Sequence, residues 1–242
     1  MISEFIQEHV NQKKKLFALL IDPDFHTYKT LSALIKKCNK SKVDLILVGG
    51  SLVNKNTDET IENIKQHTKI PVLLFPGSIL QVSSKADGIL LLSLISGRNP
   101  ELLIGNHVTA AHFLKQSKLE VLPTGYILID GGNRTSVEYM SNTQPIPADK
   151  TDIATATALA GEMLGLKYIY LEAGSGAKYG VNTKMIKAIK ENIQIPVFVG
   201  GGIKTKEDIK KALEAGADII VVGSAIEQDE SKLEALVDAT HE

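Results

Sequence analysis

Cysteine is almost missing from this chain: Cys38 is the only one in 242 residues. A lone thiol excludes an internal disulfide and fits a reducing compartment. Its place on an amphipathic stretch reads as a packed side chain rather than a nucleophile. An excess of either charge is missing too. The 27 Lys+Arg against 28 Asp+Glu leave a formal net charge of −1, which gives no basis for a nucleic-acid or polyanionic partner. Long apolar runs are absent at the start, where Lys13-Lys-Lys15 precedes only about six apolar residues, too few for a signal peptide or a membrane span. A cytoplasmic protein with no transmembrane segment is therefore expected. No linker or low-complexity stretch divides the chain, so one domain over 1–242 is expected. The six histidines show no metal-ligand spacing, and His107 and His112 are read as helix-surface residues.

What the chain does have is a regular alternation of strand and helix. An opening helix over Met1 to Lys14 places Ile2, Phe5, Ile6 and Val10 on one face. Apolar runs with no polar alternation then recur: Leu16–Ile21, Leu45–Val48, Ile70–Phe75, Gly88–Leu92, Val121–Ile129, Tyr168–Leu171, Val197–Val199 and Ile219–Val222. Such runs are strands covered on both faces. Helical patterns separate them. Thr57 or Asp58 is a candidate cap for the one ending at His67, and Thr205 with Asp208 reads as a capping box. Residues 76–87 are too few for a helix with two loops, so the third unit is expected to reduce to an irregular segment or a single turn. Residues Pro100 to Gln116 read as a helix. Thr135 to Asp149, with Pro145 and Pro147, reads as a long polar loop. Eight βα units predict an α/β fold, a TIM (β/α)8 barrel modified at its third helix, with chemistry at the C-terminal ends of the strands. A doubly wound sheet would place a glycine-rich loop after the first strand, where two aspartates stand instead.

Three late strands end in glycine. Tyr170-Leu171-Glu172-Ala173 runs into Gly174-Ser175-Gly176, Val197–Val199 runs into Gly200-Gly201-Gly202, and Ile219–Val222 runs into Gly223-Ser224. Glycine frees backbone N–H groups to converge on an anion, and barrel phosphate sites gather at these loops. Glu172 beside such a cradle is a candidate general base, its pKa raised by repulsion from a bound phosphate. Asp22-Pro23-Asp24 and Ser51 end neighbouring strands. They suit Mg²⁺, which takes one or two carboxylates and leaves the remaining positions to water and substrate phosphates; equally, they suit helix caps and turns. Asp130 is open between a tight turn and a substrate contact.

With these residues in view, the sequence resembles the geranylgeranylglyceryl phosphate synthase family, in its longer branch found in archaea and some bacteria. The resemblance runs from about Phe17 to Gln228 and is most specific over Tyr170–Gly176. It implies prenyl transfer from a prenyl diphosphate, such as geranylgeranyl diphosphate, to the C3 hydroxyl of sn-glycerol 1-phosphate. It places the glycerol phosphate on Tyr170 to Gly176, Gly201, Gly202, Gly223 and Ser224, the Mg²⁺ cofactor on Asp24 and Ser51, and the base at Glu172. A prenyl tail needs an apolar trough, for which strands two to four and the Leu94–Ile104 region have the composition. The family also implies a homo-oligomer, dimer or hexamer; Tyr139, Met140 and two prolines give the 135–149 segment more apolar surface than a solvated loop needs, so it is expected to contribute to that contact. Some bacterial members carry a lysine ahead of the strand-one aspartates, where Leu20 and Ile21 stand here.

Two other readings use the same residues. A phosphometabolite isomerase or cyclase would pair Asp22 or Asp24 with Asp130 and need a second phosphate motif after strands three and four, which Pro76-Gly77-Ser78 matches poorly. A non-catalytic phosphate-binding barrel would leave Asp24, Ser51 and Glu172 without work.

Overall fold

A computed structural model describes Met1–Glu242. Strands β1 (Leu16–Ile21), β2 (Leu45–Val48), β3 (Val72–Leu74), β4 (Gly88–Leu94), β5 (Glu120–Leu128), β6 (Tyr168–Glu172), β7 (Val197–Gly200) and β8 (Ile219–Val222) close into a barrel in chain order. All pairs are parallel, from Ala18 beside Leu45 round to Leu16 beside Ile219. Around them run α1 (Ile2–Asn11), α2 (Tyr28–Ser41), α3 (Thr57–His67), α4 (Asn106–Ser117), α5 (Ser136–Ser141), α6 (Thr151–Met163), α7 (Thr183–Asn192), α8 (Lys206–Glu214), α9 (Ser224–Gln228) and α10 (Leu233–His241).

The strand alternation splits the apolar residues into two cores. Outward-facing residues such as Ile169, Leu171 and Val199 meet the helices in one cluster, which includes Cys38. Burial pushes that thiol up to about 12, consistent with a packed side chain. Inward-facing residues such as Leu45, Leu73, Tyr170 and Phe198 fill the barrel, and Ile2 and Ile6 of α1 join them from below. The start of α1 is fixed by Glu120, whose carboxylate accepts from the N–H groups of Ile2 at 2.5 Å and Ser3 at 2.9 Å. Each wholly buried Leu or Ile contributes about 1.5–3 kcal/mol, so the floor of the barrel is firmly closed.

Local chemistry sets the helix starts. Thr205 and Asp208 form the expected capping box on α8. On α3 the cap is Asn56, which accepts from Asp58 N–H, rather than Thr57 or Asp58. Between β3 and β4 the chain makes only one 3₁₀ turn, Ile79–Gln81. Gln81, nearly fully buried, ties this turn down: its Nε2 donates to Gly50 O at 2.8 Å, and its Oε1 accepts from the Gly50 and Gly77 N–H groups. The expected helix after Pro100 opens as a wide π-type turn, Glu101–Gly105, before α4. The expected loop 135–149 is not wholly irregular: it contains α5, and Ile146 bridges to Ile129 in parallel.

Candidate active site

The C-terminal ends of the strands form a mouth with two unlike halves. On the β6–β8 side lie the glycines. Gly174, Gly176, Gly201 and Gly202 all have left-handed φ, between +70° and +96°, which side-chain-bearing residues adopt only at a cost. A Cβ at Gly201 would collide with Glu172 Oε1 and stand 2.5 Å from Gly174 N, whereas one at Gly176 would meet nothing within 4 Å. The first glycine closes the β6 and β7 ends on each other, and the second borders open space. The N–H groups of Ser175, Gly176, Gly201 and Gly202 donate to no backbone acceptor in the protein, as an anion cradle requires. Gly223 and Ser224 stand at the end of β8. Gly223 needs no left-handed backbone; its side is closed by Leu20 at 3.3 Å. Leu171 and Ala173 turn their side chains into the outer core, so they can offer a ligand only backbone.

Glu172 ends β6 facing inward, and only 5% of its surface is exposed. Its Oε1 accepts from Gly174 N–H at 2.6 Å. Burial pushes the carboxyl up to about 7, against the opposing pull of that N–H and of the Tyr170 and Tyr126 hydroxyls. The shift has the direction expected from sequence but a different cause, since desolvation alone raises it. Beneath the carboxylate lies an aromatic floor. Tyr170 stacks on Phe198 with ring centres 5.8 Å apart and lies 5.4 Å from Tyr126 and 5.0 Å from Phe75. The Tyr170 hydroxyl is buried and completes no hydrogen bond of good geometry.

The aspartates after β1 separate in role. Both oxygens of Asp24 are taken: Oδ1 by the N–H of Lys55 at 2.9 Å, Oδ2 by the backbone and side-chain N–H groups of Asn54 at 2.9 and 3.0 Å. These backbone donors hold its pKa down. Asp24 thus joins the β1 and β2 loops, its two oxygens engaged by these N–H groups. Asp22 caps the turn after β1, its Oδ1 accepting from the Asp24 N–H at 2.9 Å. A Cβ on Gly50, the neighbour of Ser51, would stand 2.8 Å from Asp22 Oδ2. Burial raises the Asp22 pKa. Asp130 is a turn residue: its Oδ1 accepts from Gly132 N–H at 2.8 Å and the side chain is exposed.

The other half of the mouth, over β2–β5, is an apolar trough of about 550 Å³. Leu52, Ile79, Leu92, Leu94 and Met140 line it, and it continues past Ile89 and Leu91 to the outer side of β4, under α4. Space is free there because only a 3₁₀ turn follows β3. Pro76, Gly77 and Ser78 line this trough and form no phosphate loop. Tyr126 lines it as well, so one ring touches both the trough and the surroundings of Glu172. His107 is no helix-surface residue. It lines the trough with Nε2 3.0 Å from Ser93 Oγ, while His112 is exposed as expected. The inward phase of β5 could have revealed Tyr126 in the sequence. His107 follows a π-type turn that shifts helical phase, and no periodicity signals it.

Comparison with known proteins agrees in sequence and in shape. A sequence model described as the PcrB family matches residues 8–240. The geranylgeranylglyceryl phosphate synthase of Chitinophaga pinensis is 53% identical over 228 residues, 94% of this chain and 90% of that protein. The protein of the same name from Spirosoma linguale is 50% identical over 230 residues, 95% of this chain and 92% of that one. Among solved structures, (S)-3-O-geranylgeranylglyceryl phosphate synthase from Thermoplasma acidophilum, in complex with substrate sn-glycerol-1-phosphate, superposes with a TM-score of 0.94 at 33% identity, covering 100% of this chain and 98% of that one.

Proposed function

The chain belongs to the PcrB family, and from that premise we propose that it is a prenyltransferase that makes geranylgeranylglyceryl phosphate. It joins the C3 hydroxyl of sn-glycerol 1-phosphate to a prenyl diphosphate. The carrying observation is the position of Glu172, a buried carboxylate titrating near 7 between a glycine cradle and an apolar trough. In this reading the cradle holds the phosphate and presents the hydroxyl. The C3 oxygen bonds to the first prenyl carbon as the bond from that carbon to the diphosphate oxygen breaks. Glu172 takes the hydroxyl proton, and the diphosphate leaves with the bonding electrons. Fixed presentation of one hydroxyl can supply several kcal/mol, and a positioned base adds roughly 10²–10⁴ in rate. Tyr126 and Tyr170 keep water from beneath the carboxylate.

The donor set at the β1 and β2 ends suits Mg²⁺: the Asp22 carboxylate, whose Oδ1 accepts from Asp24 N–H and whose Oδ2 lies toward Gly50, and the hydroxyl of Ser51. We assign the ion to these two residues, with Asp24 as the anchor that holds their loops together. When bound, Mg²⁺ offsets the charge developing on the departing diphosphate. The isomerase or cyclase reading needs Asp130 to pair with Asp22 or Asp24, and Asp130 is an exposed turn residue whose Oδ1 accepts from Gly132 N–H.

Homo-oligomerisation, as dimer or hexamer, we propose as well; Tyr139 and Met140 of the 135–149 segment are exposed, and so are Ile104 and Val108 beside and on α4. Light scattering tests the oligomeric state. The activity itself is tested by incubating the protein with sn-glycerol 1-phosphate, Mg²⁺ and prenyl diphosphates of several lengths. An ether-linked, organic-extractable phosphate is expected, and no product from any donor would overturn the proposal.

A further inference from the structure

The mouth of the barrel is polarised, and its apolar half extends outward as well as inward. Single exposed apolar side chains are ordinary on protein surfaces. Here they gather around one opening: Leu80 at 90% exposure, Tyr139 at 83%, Phe25 at 68%, Leu52 at 62% and Met140 at 51%. They stand on the loops after β1, β2, β3 and β5, and Leu52, Leu80 and Met140 also line the trough. The loops after β6–β8, which carry the glycine cradle, add only Tyr179 of comparable exposure. The cationic Lys55, Arg98 and Arg134 lie on the same arc of loops, all exposed; Lys55 donates to the carbonyls of Asp24 and His26, and Arg98 to that of Gly97. Arg134 leaves 92% of its side chain in solvent, and its nearest carboxylate, on Glu138, is 4.0 Å away. No helix is long and apolar enough to cross a membrane. Contact at the rim of a bilayer needs none.

We infer that this apolar arc docks on the surface of a lipid bilayer bearing anionic headgroups, with the trough opening onto the acyl region. The inference rests on the prenyl-transfer reading for its choice of occupant. A trough continuous with apolar loop tips lets a long tail pass between protein and membrane without crossing water. The rim cations supply the headgroup attraction that shallow apolar insertion needs as a second signal. The phosphate cradle, on the opposite arc, stays in water.

Sedimentation of the full-length protein with vesicles of phosphatidylcholine and phosphatidylglycerol tests this. The native chain is expected to sediment with the vesicles, and high salt is expected to weaken the binding. Leu80→Asp combined with Tyr139→Asp should lower the partition by roughly tenfold or more, since charge is poorly tolerated at an inserted loop tip. Met163→Asp combined with Leu164→Asp places charge at the far end of the barrel, where both residues are exposed, and should leave the partition unchanged. Thermal melts verify that each variant is folded. No vesicle binding, or equal binding by all three proteins, would overturn the inference. So would loss of an oligomer in the Leu80/Tyr139 variant without vesicle binding by the native chain, because a second copy would then cover the arc. Prenyl transfer is measured in parallel from detergent-dispersed donor. Turnover without vesicle binding overturns the docking alone, and vesicle binding without turnover overturns the prenyl-transfer reading alone.

Discussion

Replacing Glu172 by Gln should make the protein slower and, at alkaline pH, more stable. The folded-state pKa of this carboxyl is raised from 4.5 to about 7. Each unit corresponds to ~1.4 kcal/mol, so the ionised form carries a burial penalty of about 3 kcal/mol relative to the unfolded chain. Because the pKa is raised rather than depressed, the native state binds the extra proton. The contribution of Glu172 to stability is therefore greatest below pH 4.5, falls between 4.5 and 7, and is level above. Gln keeps the acceptor that meets the Gly174 N–H but cannot ionise, so it lacks this slope. The stability difference between variant and native chain should grow by about 3 kcal/mol from pH 4.5 to pH 8, or roughly 6–12 °C in melting temperature for a chain of this size. Glu227 is also raised to about 7, by burial and by Asp22, but it is present in both proteins and cancels. The transfer rate should fall by roughly 10²–10⁴, and the rising limb of kcat/KM near pH 7 should vanish. Thermal melts across pH and single-turnover assays give both readouts. Parallel stability curves would refute the buried ionising carboxylate, and an intact rate would refute the base.

Four other substitutions separate the roles of neighbouring residues. Asp22→Asn should raise the Mg²⁺ concentration for half-maximal rate by an order of magnitude, whereas Asp24→Asn should mainly lower the melting temperature; calorimetric Mg²⁺ titration and melts distinguish them, and the reverse pattern would restore Asp24 as the ligand. Gly201→Ala forces a side chain against Glu172 Oε1 at φ +76°, so it should cost about 1–3 kcal/mol of stability and weaken sn-glycerol 1-phosphate binding, measured by calorimetry. Gln81→Leu leaves Gly50 O and two N–H groups without their partner and should cost about 1–3 kcal/mol; an unchanged urea midpoint would show that the turn holds without it.

The barrel was legible because each strand is a short apolar run with turn residues after it, and a strand covered on both faces can be little else. The glycines at 174, 176, 201 and 202 were legible for the same reason, since a left-handed backbone at a strand end has few other occupants. The hydrogen-bonded setting of Asp24 was not legible, because a DPD sequence states which residue types reach the loop and not which way each carboxylate turns. That choice depends on the N–H groups of Asn54 and Lys55, thirty residues on. The pKa of Glu172 depends on how deeply the end of β6 is buried, which is a property of the closed barrel rather than of any stretch of chain.

The bare stretch after β3 also bears on motion. The β3–β4 ladder, like that of β7 and β8, has two residue pairs, here Leu73 with Gly88 and Leu74 with Ile89, against seven between β4 and β5. At the other strand boundaries a helix lies over the ladder; here the cover is one 3₁₀ turn hung on the amide of Gln81. Few contacts and little apolar cover mark the part of a fold that opens first. The wall beside the trough is therefore the barrel's breathing seam, and the same missing helix that leaves volume for a long chain also leaves that chain a flank that can yield around it.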